Sequence, residues 1–343
     1  MLRYFDGFET FSGNYPPMQA VPGLSITASY CTVGSTYART GSMGMQLSYY
    51  SGYQMIFSVP LQTWFVGFAV RRYDINVPVY GATYPMFGFM DGLTWQMKMH
   101  VVGSEIQVRN GADTLLATTS GAGLDYRIWR YVEVGIVVDS SVGSLVLKVN
   151  ENNLVNLTNI NNQASENPQA DTLFLSGIYN SNAHIDDLYV CDSTGAKNNT
   201  FLGDIRIDKL TPTGAGTYSD FTPSAGSNYQ NVDDVNLHDG DSTYNQGSDV
   251  GDKDTYAMSD LPFPAGTEIF GVKTQITARK TDAGTRKIKQ LDISGSTEEL
   301  GDEKTLSDSY ETYRTIYENN PDDDAAWEDA DVNAVQPGII ITV

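Results

Sequence analysis

The sequence is poor in positive charge, in histidine and in cysteine. It sets 21 Lys and Arg against 42 Asp and Glu, for a formal net charge of −21. So few cations exclude a broad phosphate-neutralising surface, and with it nucleic acid as a partner. They equally exclude attraction to an anionic membrane face. The three histidines, His100, His184 and His238, stand at no zinc-ligand spacing from one another or from a cysteine. Two cysteines, Cys31 and Cys191, are too few and too distant for a disulfide framework. They are expected as unpaired buried thiols of a chain made in a reducing cytoplasm. No Gly-x-Ser-x-Gly elbow and no P-loop occurs. No run is apolar enough to span a membrane as a helix. The opening MLRYFDGFETF carries Asp6 and Glu9 where the apolar run of a signal peptide would lie, so no secretory leader is expected.

What is present is apolar alternation. The 343 residues include 32 Gly and 21 Tyr, and only 18% are charged, which is unlike a disordered chain. Thr63–Arg71 (TWFVGFAVR) places Trp64, Val66, Phe68 and Val70 on one face. Tyr53–Val59, Trp95–Val101, Glu105–Arg109, Trp129–Val138, Ser144–Val149, Leu173–Ile178 and His184–Cys191 read as further short strands between turn residues. Within residues 1–195 no segment shows the i, i+3, i+4 spacing of a helix over a helical length, and the later part is also mostly strand-like, so the fold class is all-β.

The length suggests two domains. Residues before 196 hold 15 acids and 9 bases, and those from 196 onward hold 27 and 12. This shift predicts a first domain at 1–195, a linker at 196–203 and an acidic β-rich C-terminal domain at 204–343. In the latter, Leu202–Leu210, Glu268–Arg279, Arg286–Ile293, Ser307–Tyr317 and Gly338–Val343 are predicted strands, and Ala326–Val335 a short helix. The Asp-rich run 233–254 reads as a solvated loop without EF-hand spacing.

Chemistry-bearing constellations are few. Glu133 stands alone in its strand, and Asp186 and Asp187 are neighbours that an extended chain would point to opposite sides. Neither supplies the carboxylate pair of a glycosidase, so the chain is expected not to be an enzyme. Asp186 and Asp187 lie in a late strand, Asp6 and Glu9 in the first. Terminal strands of a sandwich commonly pair, so these four acids form a candidate calcium site, the one cofactor expected. The alternative is that they cap turns and accept backbone N–H bonds. Tyrosines crowd the first half, and Tyr49, Tyr50, Tyr53, Tyr80 and Tyr84 are candidate partner-binding residues, suited to an interface or to a sugar ring.

Several segments carry a resemblance. They are DGFETF, FVGFAVR, MDGLTWQMKMHVVGSEIQVRNGADTLLATT, WRYVEVGIVVDSSVGSLVLKVN and IDDLYVCDSTG. In this order they resemble the concanavalin A/laminin G-like jelly roll over residues 1–195. Followed by FLGDIRIDKLTPTGAGTYSDFTPSAGSNYQNVDD, the arrangement resembles virion proteins of tailed bacteriophages. The resemblance implies a C-terminal β-sandwich after the jelly roll. It also implies a structural role on the virion surface, as a decoration or accessory protein bound to capsid or tail proteins, with weak glycan binding. The alternative it implies is a tail fibre or adhesin that binds host surface glycans, and the third is a glycan-cleaving enzyme. Assembly in the host cytoplasm and a homo-oligomer, a trimer by virion geometry, complete the expectation.

Overall fold

The structure is a computed structural model that describes residues 1–11, 13–14, 24–73, 85–178, 181–234 and 237–343. The chain forms two compact units, the first running to Asp208 and the second starting at Lys209.

The first unit begins with β1 (Leu2–Asp6), β2 (Gly13–Asn14), β3 (Leu24–Gly34), β4 (Gly44–Leu61) and β5 (Thr63–Arg72). It continues with β6 (Phe87–Asp91), β7 (Thr94–Val102), β8 (Glu105–Asn110), β9 (Leu115–Gly123) and β10 (Arg130–Val137). Then come β11 (Gly143–Val149), β12 (Asn152–Ile160), β13 (Ala170–Leu175) and β14 (Ala183–Cys191). All pairings among them are antiparallel, in the order β12-β11-β10-β5-β14-β4-β13-β6-β7-β8-β9. The long β4 switches layers. Its residues Met45–Leu47 pair with β14, and Tyr53–Leu61 pair with β13. The path therefore folds into two layers, a concanavalin A-like jelly roll.

Period-2 burial fixes which side chains meet between the layers. Trp64 packs edge-on to Phe57 at 5.2 Å and against Phe89 at 5.5 Å, and Phe68 meets Phe87 at 5.4 Å. Met97 and Met99 of β7 are fully buried, as gap-fillers in this core. Cys31 and Cys191 are both buried, and among the described residues neither is in a disulfide. The expected pairing of terminal strands is present, with Asp6 of β1 opposite Leu188 of β14.

The second unit contains β15 (Pro212–Ser219), β16 (Thr222–Pro223), β17 (Asn245–Gln246), β18 (Lys253–Met258), β19 (Val272–Ala278) and β20 (Lys287–Ser294). After these come β21 (Thr297–Leu300), β22 (Lys304–Thr305), β23 (Glu311–Tyr317), helix α1 (Asp329–Ala334) and β24 (Gln336–Ile341). A sheet in the order β15-β18-β24-β20-β21, with β22 also on β20, forms one layer. The β19-β23 ribbon forms the other. Tyr313, Ile276 and Ala278 of the ribbon pack against Ile288, Leu306 and Ile339. Helix α1 is shorter than the predicted 326–335. Trp327 and Val335 at its flanks are spent on a cluster with Val332, Leu210, Leu261, Ile269 and Val272. The Asp-rich run is not wholly a solvated loop. Asn228, Asn245 and Tyr256 all donate to the Asp254 carboxylate, which is buried.

Candidate functional site

The strands β14, β5 and β10 lie side by side, and their alternation sends every second residue away from the core. On β5 these are Phe65, Gly67, Ala69 and Arg71. The register places Phe65 between Gly135 and Cys191, Gly67 between Glu133 and Tyr189, and Ala69 between Tyr131 and Asp186. Arg71 lies opposite His184. Trp129, one residue before β10 and in phase with Tyr131, flanks Arg71 on the other side. The outer face of this layer is thus a ladder of four rows.

Two rows are covered by residues 201–207, which belong to the first unit, and the third, with Tyr131 and Asp186, by Arg39 and Thr40. The Phe201 ring meets Phe65 edge-on at 5.1 Å and lies above Gly135. Leu202 N–H donates to the Tyr189 hydroxyl at 3.1 Å, and Gly203 N–H to Glu133 Oε1 at 2.9 Å. The Tyr189 hydroxyl donates to the same oxygen at 2.6 Å. Residues 196–203 were expected as a linker and 202–210 as a strand. Neither description fits these contacts: the segment is a strap without a partner strand. Its alternating apolar residues pack onto the first unit, as Ile207 does against Gly7.

The four acids of the candidate calcium site sit beside this strap, and protein donors take up their oxygens. Asp6 accepts from the Tyr4 hydroxyl and from Phe8 N–H. Glu9 accepts Ser42 N–H, the Ser42 hydroxyl and Met43 N–H. Asp186 accepts Arg39 N–H at 2.7 Å, Thr40 N–H and Asp187 N–H. Asp187 accepts Arg39 Nη1, the Thr40 hydroxyl and Ile207 N–H. Burial, reinforced by the charge of Asp187, pushes the Asp186 carboxyl up to about 8, and burial raises Asp187 as well. Among the described residues no group of three or more His, Cys, Asp or Glu is placed to hold a metal. Oxygens facing N–H and O–H donors do not fit a calcium shell, which needs them turned to one cation. Glu9, Asp186 and Asp187 instead clasp the 39–43 turn and the strap to the sheet, and Asp6 caps the turn at Phe8, which is the turn-capping alternative.

The fourth row is uncovered by the strap and has a different character. Arg71 Nη2 donates to Thr36 O at 3.2 Å and lies 3.0 Å from His184 Nδ1. A guanidinium can only donate, so Nδ1 accepts and the imidazole proton rests on Nε2. Burial, and next the Arg71 charge, hold His184 down at about 4. The Arg71 guanidinium carbon stands 4.8 Å from the Trp129 ring. Tyr37, from the 3-10 turn Ser35–Tyr37, lies 4.8 Å from the His184 ring, and Tyr73 lies 5.5 Å from it. Arg127 stands over both Tyr73, at 4.7 Å, and Tyr126, at 5.0 Å. Backbone bonds hold the 126–129 loop here, Arg127 N–H donating to Arg72 O and Tyr73 N–H to Asn182 O. Arg127 is exposed, Tyr73 is 42% exposed, and Tyr37, Tyr126 and Trp129 are half-buried.

Of the tyrosines expected to bind partners, Tyr53 is corrected. It is 2% exposed and packs edge-on to Phe8, so its ring belongs to the core. Tyr49 and Tyr50 lie within β4. Tyr80 and Tyr84 fall outside the described residues. The residues that sequence reasoning missed are Arg71, Tyr126, Arg127, Trp129 and His184, while Tyr37 and Tyr73 stand among the many tyrosines of the first half without being singled out. Their signal was weak, because four separate segments supply them.

No protein-family model and no curated protein matches the sequence. Solved structures do. The alginate lyase Aly36B is similar at 12% identity, over 54% of this chain and 95% of that one, with a TM-score of 0.36. The exoplasmic/lumenal domain of VIP36 is similar at 11% identity, over 56% and 95%, with a TM-score of 0.35. The catalytic domain of a glycoside hydrolase family 131 protein from Coprinopsis cinerea is similar at 14% identity, over 51% and 81%, with a TM-score of 0.33. The expectation that the chain is not an enzyme is corrected by this set, which includes catalytic domains. Likeness at this level concerns the fold and assigns neither reaction nor ligand.

Proposed function

We propose that the first unit is a glycan-binding module and that the Arg71–His184–Trp129 row, with Tyr37, Tyr73, Tyr126 and Arg127, is its binding surface. The observation that carries this reading is the co-location of four aromatic rings, two guanidiniums and a neutral imidazole at the uncovered end of a rigid sheet. Flat rings offer stacking faces to the C–H face of a sugar, and planar guanidiniums offer paired donors to its oxygens. Because the strands fix each group by register, little ordering entropy opposes binding. The virion resemblance adds a setting for this surface, the outside of a tailed bacteriophage particle, where host glycans would be met and capsid or tail proteins would be the neighbours.

The test is a glycan array probed with the full chain, followed by tryptophan fluorescence titration of the hits. Trp129→Ala and Tyr73→Ala should each weaken binding about tenfold or more, while Tyr244→Ala, an exposed tyrosine of the second unit, should leave it unchanged. A folded protein that binds no glycan, or binding indifferent to both site variants, overturns the reading. Detection of the chain among the proteins of purified phage particles would support the setting.

A further inference from the structure

The row that binds sugar on the reading above also carries two arginines, Arg71 and Arg127, that no carboxylate neutralises among the described residues. We infer that its ligand is an acidic oligosaccharide, carrying carboxylate or sulfate groups, with Arg127 and Arg71 as the residues that select the charge. This inference rests on the glycan-binding reading and narrows it to one class.

The argument begins from counter-ions. Acids outnumber bases two to one in this chain, 42 against 21, so acidic partners are plentiful. Two nearby arginines have such partners: Arg39 pairs with Asp187 and with Asp204 at 2.5 Å, and Arg130 pairs with Asp125. Among the described residues Arg71 and Arg127 form no ion pair. Arg71 is spent on a carbonyl and on His184, and Arg127 stands over two tyrosine rings. Burial first, and by a smaller effect the repulsion of the Arg127 charge, hold the Arg71 guanidinium below its ordinary value, against the opposing influence of Tyr73. His184 is neutral and relieves none of this. An anion seated between the two arginines would relieve the repulsion and gain charge-assisted hydrogen bonds, which are stronger than those to a neutral hydroxyl. Aromatic rings behind both guanidiniums keep them in place, so selectivity costs little side-chain entropy. A surrounding field of negative charge disfavours long polyanions such as nucleic acid, whereas a short oligosaccharide reaches the row with few charges.

The experiment uses matched probes on the full chain, titrated by tryptophan fluorescence at low and at high salt. One arm compares short oligogalacturonates with the same oligomers methyl-esterified, so that only the charge differs. A second arm compares sulfated with unsulfated dextran oligomers and distinguishes sulfate from carboxylate as the source of charge. A single-stranded oligonucleotide serves as a generic polyanion. An acidic member that binds at least about tenfold more tightly than its neutral match, with the gap shrinking in salt, is the expected result. Arg127→Gln should close that gap by weakening the acidic member about tenfold more than the neutral match. Arg127 is exposed, so this variant should fold, and Arg71→Gln is the second test. Neutral and acidic members bound alike, or the oligonucleotide bound as tightly as the acidic sugar, would overturn the acidic class and leave the glycan reading standing. No binding in any arm by a folded protein would overturn both.

Discussion

Phe201 lies so close above Gly135 that a Cβ on residue 135 would stand 2.6 Å from the tip of its ring. On the same face, a Cβ on Gly67 would meet the Tyr189 ring at 2.1 Å. The two glycines are flat spots on which the strap and its supporting tyrosine rest.

The first prediction follows from this contact. Gly135→Ala should destabilise the first unit by about 1–3 kcal/mol, the usual cost of overpacking, and Gly67→Ala by at least as much. The urea midpoint reads the loss. A midpoint unchanged in both variants would mean that the strap does not rest on the sheet.

The second concerns Asp292 in the second unit. Its Oδ2 accepts from Thr274, Gln290 and Tyr317, while buried Oδ1 has no partner among the described residues. Burial pushes the carboxyl up to about 6, against hydrogen bonds from these three side chains that pull it down. A carboxyl raised on folding binds its proton more tightly in the folded state. It therefore stabilises most below the unfolded value, and that contribution is lost as pH rises through about 6. Between pH 4 and pH 7 the wild type should lose about 2 kcal/mol relative to Asp292→Asn, read from paired denaturation curves. Parallel curves would contradict the raised value.

His184 has the opposite sign. Its folded value near 4 lies below the ordinary 6.5, so its contribution is present above 6.5 and lost as pH falls toward 4. Glycan binding should accordingly be flat from pH 5.5 to 8. A loss centred near 6.5 would show a protonated ring and contradict the Arg71 to Nδ1 bond.

The thiols should report unfolding. Burial pushes Cys31 up to about 12, against a hydrogen bond to Ser29 O, and Cys191 is fully buried. At pH 8 a thiol reagent should label neither in the folded protein and both in urea. Rapid labelling of Cys31 in the native protein would contradict its burial.

The β character was legible because alternation is local. Trp64, Val66, Phe68 and Val70 announce the inner face of β5 from their spacing alone. The meeting of the first and last strands of the jelly roll, Asp6 beside Leu188, was legible from sandwich topology. What the four acids do there was not, because each has a backbone N–H among its partners, from Phe8, Ser42, Arg39 or Ile207, and a backbone donor leaves no mark in a sequence. Leu202–Leu210 misled for a related reason. Alternation reports that every second residue is covered, and a strap covered by a sheet face alternates as a paired strand does. The Arg71 row was invisible because Tyr37, Arg71, Arg127 and His184 come from distant segments that only the fold brings together.

The strap has a consequence for how this protein can be divided. A cut at residue 195, where the polar turn invites one, would strip Phe201 from Phe65 and leave Glu133 and Asp187 without the N–H groups of Gly203 and Ile207. Any exchange of the second unit, by recombination between genes or by grafting in the laboratory, has to join after Asp208. The thirteen residues before that point travel with the jelly roll as part of its own surface.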